Sequence, residues 1–202
     1  MIVVIDYGVN NIGSVANGLE RLGVSYKISS DPKILTKARA LILPGVGAAG
    51  VGMQNLKQKG LDTAILKEVK KGKPILGICL GMQLFLSSSD EGNVDCLGLI
   101  KGKVKKYKTR LKVPQIGWNE IKIMKQESKI MKNIPDNSYF YFINSYYCDP
   151  DDKSVIAGNT KYGKNFCSVL EKENIVGLQF HSEKSGTLGF NLLKNFIKYY
   201  VN

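Results

Sequence analysis

The chain has 202 residues and a mass of 22.3 kDa, with 44% hydrophobic and 23% charged residues, so residues 1–202 are read as one domain. A chain of this length buries roughly 70% of its unfolded surface, enough for a core without disulfides or structural metal. Its longest apolar stretches, such as Ile2–Ile5 and Ala40–Leu43, fall far short of the about 20 residues a membrane span needs. No basic segment, apolar stretch and small-residue cleavage site precede the first strand-like run, so a soluble cytoplasmic domain is expected.

The formal net charge is +12, from 29 basic and 17 acidic residues. Most of the excess lies between Lys101 and Lys132, where ten lysines and Arg110 stand against Glu120 and Glu127. This segment is read as a solvated lysine-rich face, with an anionic ligand or a protein partner as the alternative. Nucleic acid is not expected, because arginine, whose planar fork suits phosphate, is confined to Arg21, Arg39 and Arg110 and no recognition motif accompanies the lysines. The four cysteines, Cys79, Cys96, Cys148 and Cys167, form no CxxC pair, and with His181 as the single histidine no zinc site of usual composition can be assembled. Any chemistry that pairs a nucleophile with histidine must run through His181.

In chain order, Ile2–Ile5 is a continuous apolar run of the kind a strand buried on both faces shows. A helix follows over Asn11–Leu22, stopped by Gly23, then strands at Val24–Ile28 and Ala40–Leu43. Leu61–Lys71 reads as a helix closed by Gly72, Pro74–Ile78 as a strand and Leu80–Leu86 as a helix. This alternation predicts βαβ units and a parallel sheet. Beyond Asp90, strands are expected at Val104–Tyr107, Glu120–Met124, Tyr139–Tyr147, Val155–Gly158, Phe166–Leu170 and Ile175–Phe180, with a hairpin tip at Glu171–Asn174. A last helix runs from about Thr187 to Tyr200. The predicted class is α/β: a single domain with a mostly parallel central sheet, flanking helices and additional antiparallel strands in the second half.

Three segments carry chemistry. Gly77-Ile78-Cys79-Leu80-Gly81 matches G-x-C-x-G between a strand and a helix, a nucleophile elbow with cysteine in place of serine. Its other reading is a buried structural cysteine flanked by glycines for close helix–strand packing. His181 follows a strand and Glu183 lies two residues on, so a carboxylate can hold one imidazole nitrogen and leave the other as base toward a thiol. Taken alone, that pair equally describes a surface histidine beside an acid. Leu43–Gly50 leaves a strand as a glycine-rich loop able to turn N–H groups toward an oxyanion or a phosphate, although it lacks the lysine and spacing of a P-loop. The loop Asp6–Asn11 does not fit G-x-G-x-x-G, so dinucleotide binding has little support. The aromatics Tyr139–Phe142, Tyr146 and Tyr147 are read as sheet core, with a partner interface as the alternative. Cys96, Cys148 and Cys167 are read as small buried hydrophobes.

The segments PGVG, GICLGMQ and QFHSEKSG, in this order and spacing, resemble the class I (triad) glutamine amidotransferases. The DYGVNN opening, Val113–Asn119 (VPQIGWN) and Phe142–Tyr147 resemble one branch, the glutaminase subunits of imidazole glycerol phosphate synthase. The resemblance implies that Cys79 attacks the γ-amide of L-glutamine, with His181 as base and Glu183 orienting it. It implies an oxyanion held by backbone N–H of Leu80 and of the Val46–Gly47 turn, after a peptide flip, and glutamine held by Gly47, Gln83, Ser145 and Tyr146. It further implies no cofactor, no metal, and a (β/α)8 cyclase partner (HisF-like) in a heterodimer that receives the ammonia. Lys184, Gln115 and Asn144 would then face that partner.

The family usually shows histidine where this chain has Gln115 and Asn144, and proline where it has Ser182. None of these is nucleophile, base or orienting acid, but the change bears on which barrel is served. Besides histidine biosynthesis, the alternatives are a paralogue feeding ammonia to bacterial surface-sugar synthesis, a catalytically silent scaffold, and a stand-alone cysteine hydrolase.

Overall fold

The computed structural model describes residues 1–9 and 11–201; Asn10, which falls in the segment read as the loop Asp6–Asn11, and Asn202 lie outside them. The first half is β1 (Ile2–Ile5), α1 (Ile12–Arg21), β2 (Tyr26–Ser29), α2 (Pro32–Lys37), β3 (Ala40–Leu43), α3 (Ala49–Gln58), α4 (Leu61–Lys70), β4 (Ile75–Ile78) and α5 (Leu80–Gln83). The second half is β5 (Ser88–Ser89), β6 (Val94–Asp95), β7 (Gly102–Lys106), β8 (Gln115–Ile123), β9 (Ser138–Asn144), β10 (Tyr146–Pro150), β11 (Ile156–Tyr162), β12 (Lys164–Lys172), β13 (Ile175–Leu178) and α6 (Gly186–Phe196).

The main sheet runs β2-β1-β3-β4-β13-β12-β10-β7-β5-β6. Its first five strands are mutually parallel, and β12 then turns the sheet antiparallel. Strands β1, β3, β4 and β13 are buried throughout, which is why they read as unbroken apolar runs rather than alternating ones. Their side chains divide between two cores. Val3, Ile5, Leu41, Leu43 and Ile75 pack with Leu35, Leu56, Leu61 and Ile65 of α2–α4. Ile2, Val4, Ile42, Leu76 and Ile78 pack with Val15 and Leu19 of α1 and Leu192, Leu193 and Phe196 of α6.

Differences from the expected elements have local causes. Helix α2 starts at a capped turn, the Asp31 carboxylate accepting from Lys33 N–H at 2.9 Å with Pro32 behind it. Helix α3 begins inside the glycine-rich segment, where a Cβ on Gly52 would crowd Leu84, Leu80 and Tyr7 at 3.2–3.4 Å. Helix α5 lasts one turn, after which Phe85 and Leu86 N–H bond to the carbonyls of Met82 and Gln83, three residues back. The stretch expected as one strand over 139–147 is two, β9 and β10, broken at Ser145 where the chain leaves its ribbon with β8 for the main sheet. Phe140 and Phe142 point inward against Phe180, while Tyr139 and, across the ribbon, Trp118 are more than half exposed. Of the basic segment, Lys103 and Lys105 pair with Asp90 and Asp149 at 2.8 and 2.6 Å.

Candidate active site

Cys79 follows the last residue of β4 with φ 53° and ψ −108°. A non-glycine residue there costs of order 1–3 kcal/mol, held by its surroundings. Both flanking glycines are obligatory. A Cβ on Gly77 would lie 2.6 Å from the Phe85 ring and 2.7 Å from Met82 N, and one on Gly81 would collide with the Leu43 carbonyl oxygen of β3. The elbow thus fits only while β3 and α5 pass close to it. The Cys79 thiol lies 3.8 Å from the Ile143 carbonyl and accepts from Gln179 Nε2 at 3.9 Å.

β13 pairs in parallel with β4, Leu178 level with Ile78, so the two strands end together and their next residues converge. His181 is buried there. Its N–H donates to Tyr141 O at 2.9 Å, and its carbonyl accepts from Ser185 Oγ at 2.7 Å. Its Nδ1 lies 2.7 Å from Glu183 Oε1. With a carboxylate as acceptor the shared proton sits on Nδ1, which leaves Nε2 as the basic nitrogen. Nε2 is buried and, among the described residues, without a hydrogen-bond partner. Burial lowers the imidazole pKa, but the adjoining Cys79 and the Glu183 carboxylate more than reverse this. Burial raises that of Glu183, and the bonds from His181 and Asn11 outweigh it, holding the carboxyl below its usual range.

Cys79 and His181 line one cavity of about 250 Å³ together with Val46, Gly47, Leu80, Gln83, Ser145, Tyr146 and Glu91. A larger cavity, about 780 Å³, opens where β10 and β12 diverge; it is lined by Cys148 and Cys167 but by no histidine. The smaller one is therefore the candidate site. Its glycine-rich wall is anchored by Tyr7, whose hydroxyl donates to Pro44 O at 2.8 Å. Gly47 has φ 126°, open to glycine alone. Leu80 N–H, expected to bind an oxyanion, donates to Gly45 O at 3.2 Å and is thus engaged in this conformation. Gln83 Nε2 donates to Tyr146 O and Gln179 Oε1, both at 3.1 Å.

The structure parts the three residues expected to face a partner. Lys184 is exposed. Gln115 and Asn144 are not: they are 3% and 6% exposed, as a registered pair across β8 and β9. Asn144 Nδ2 donates to Tyr107 Oη and Tyr146 O, each at 2.9 Å, and Asn144 also lines the cavity that holds Cys79 and His181. Sequence reasoning passed over two residues. Glu91 brings a carboxylate to the cavity, fixed by Ala49 N–H at 2.8 Å, and only its position in a loop far from the motifs hid it. Asn11 Nδ2 donates to Glu183 Oε1 at 2.6 Å; the DYGVNN opening was its one sign. Among the described residues, no group of three His, Cys, Asp or Glu side chains could hold a metal ion, and no helix is long and apolar enough to cross a membrane.

A model of the family "glutamine amidotransferase class-I" matches residues 3–199. The chain belongs to that family. The amidotransferase is 44% identical over 199 residues to the imidazole glycerol phosphate synthase subunit HisH of Dehalococcoides mccartyi (strain CBDB1), covering 98% of this chain and 97% of that protein. Against the subunit of the same name from Chlorobium luteolum the identity is 47%, covering 97% and 98%. A crystal structure of a glutamine amidotransferase superposes with a TM-score of 0.78 over 98% of both chains at 17% identity, a likeness of fold alone. The amidotransferase has the α/β fold expected from its sequence.

Proposed function

We propose that the whole chain acts as one cytoplasmic amidotransferase domain, the glutaminase subunit of an imidazole glycerol phosphate synthase in histidine biosynthesis. The observation that carries this is the His181–Glu183 pair at 2.7 Å, whose free Nε2 shares a cavity with the elbow thiol of Cys79. Nε2 takes the thiol proton and Sγ attacks the γ-amide carbon of glutamine. His181 returns that proton to the leaving nitrogen, releasing ammonia and a γ-glutamyl thioester, and water then cleaves the thioester to glutamate. Leu80 and the Val46–Gly47 turn supply oxyanion N–H groups once Gly45 O releases Leu80. Gln83, Gly47, Ser145 and Tyr146 position the substrate, and Glu91, the acid lining the cavity, faces its α-ammonium.

The engaged Leu80 N–H describes a resting enzyme, which fits a subunit activated by its partner. That partner is a (β/α)8 cyclase barrel that takes up the ammonia, with exposed Lys184 and the outer face of the β8–β9 ribbon as the docking side. The test is glutamate release from L-glutamine by this chain, alone and with the histidine-pathway cyclase of the same genome and its ribonucleotide ligand. Strong stimulation is expected, falling at least ~10³-fold in Cys79→Ala. No stimulation, with Cys79 still labelled by a glutamine-analogue electrophile, would reassign the glutaminase to another barrel, and absence of both would leave a scaffold.

A further inference from the structure

Asn11 breaks two local rules at once. It stands at the N-cap of α1, where an asparagine side chain ordinarily accepts a backbone N–H of the first turn, yet it makes no capping bond. Its backbone is left-handed, φ 86° and ψ 7°, a region glycine enters at less cost. A residue placed against its own helix in this way is held by something outside it, and the contact found is with Glu183. Asn11 Nδ2 lies 2.6 Å from Glu183 Oε1 and 3.4 Å from His181 Nδ1.

The second carboxylate oxygen gives this bond its importance. Among the described residues Glu183 Oε2 is buried without a hydrogen-bond partner, so the side-chain bonds that hold the carboxylate run through Oε1. The terminal torsion of a glutamate is broad, and one hydrogen bond leaves the group free to swing about it. Two donors on one oxygen, from Asn11 and His181, remove that freedom. We propose that Asn11 is a positioning residue of the triad, its carboxamide locking Glu183 against Nδ1 of His181 so that Nε2 faces the thiol as a base. The inference rests on the glutaminase reading of the site.

Few charges compete for this role. His181 is the ionisable group bonded to Glu183, and Asn11 brings a donor without a charge. Lys184, next in the chain, is exposed, and Arg21 of α1 stacks over the Phe190 ring of α6 at 4.8 Å.

The test compares Asn11→Gly, which keeps the left-handed backbone, with Asn11→Asp, which keeps the shape and capping ability but adds a second carboxylate. Glutamine turnover is measured in the complex, and iodoacetamide alkylation of Cys79 is followed against pH in the isolated chain. If Asn11 positions Glu183, Asn11→Gly lowers kcat about 10-fold with KM little changed. The acid limb of the Cys79 alkylation curve moves to higher pH, because a carboxylate that loses a donor protonates more readily. Asn11→Asp is worse than Asn11→Gly on both measures. A purely structural N-cap role predicts the reverse order, since aspartate caps well, and leaves the alkylation curve in place; that result overturns the proposal, as does wild-type behaviour of both variants. Should wild-type chain fail to release glutamate even in the complex, the glutaminase reading falls, while the alkylation curves still decide the role of Asn11.

Discussion

The thiol of Cys79 and the pair Cys148–Cys167 set the same side chain in two regions of one sheet. All three are buried, 6%, 1% and 2% exposed, so access to solvent does not separate them. Cys148 and Cys167 face each other across β10 and β12 in regular strand backbone, and burial pushes both thiols up, Cys167 to about 12. Cys79 sits on a strained turn in a cavity shared with the histidine. Backbone geometry and neighbours, rather than residue type or depth, therefore set Cys79 apart from the other two.

The elbow is where that contrast is easiest to break. Gly81→Ala drives a methyl into the Leu43 carbonyl, which belongs to a central strand and cannot yield. Glutaminase kcat/KM should fall at least ~100-fold, with stability reduced by about 3 kcal/mol. Gly158→Ala, in the antiparallel half, meets the buried β-branched side chains of Ile121 at 2.8 Å and Val169 at 3.1 Å rather than a backbone carbonyl. It should cost about 2 kcal/mol of stability and leave turnover of the folded enzyme within about 2-fold. Denaturant midpoints and steady-state kinetics of both variants check this; equal losses of activity would deny the elbow its special geometry.

The same contrast marks what the sequence made legible. G-x-C-x-G, H-x-E and the apolar strands each announce themselves within a few residues, because tight turns and doubly buried strands constrain local composition. The meeting of Cys79 with His181 was an inference from two strand ends, and the parallel pairing of β4 with β13 is what makes it physical. Less was readable where tertiary contact overrides local preference. Helix α3 contains Gly50 and Gly52, poor helix formers; close neighbours account for Gly52, whereas a Cβ on Gly50 would meet nothing within 4 Å. The break at Ser145 depends on which sheet each half joins. Gln115 and Asn144 look like surface amides and are buried, at opposed positions of β8 and β9 that no local pattern announces.

The cavity offers a sharper comparison, between Glu91 beside the elbow and Glu127 in the larger cleft beside Cys148 and Cys167. If Glu91 meets the α-ammonium, Glu91→Gln removes a charge-assisted contact made alike in ground and transition states. KM for glutamine should rise about 10-fold with kcat nearly unchanged. Glu127→Gln should alter neither. A fall in kcat instead of a rise in KM would place Glu91 in the support of the loop, through its bond to Ala49 N–H.

The smallest effect is expected at Cys167, and pH separates it from the triad. His181 rises from 6.5 to about 10 on folding, so its stabilising contribution is complete below about pH 6.5 and is lost as pH climbs toward 10. Cys167 rises from 9.0 to about 12, so folding loses stability to the unfolded thiolate only above about pH 9. Cys167→Ala should therefore cost about 1 kcal/mol at neutral pH, keep turnover within about 2-fold, and flatten the stability curve only at its alkaline end. His181→Gln should flatten the curve from near neutrality and abolish turnover. Unfolding free energies measured from pH 6 to 10.5 resolve the two windows, at about 1.4 kcal/mol per unit of pKa difference. If both variants flattened the same window, the thiols and the histidine would titrate as one cluster, and the division between the two regions would fail.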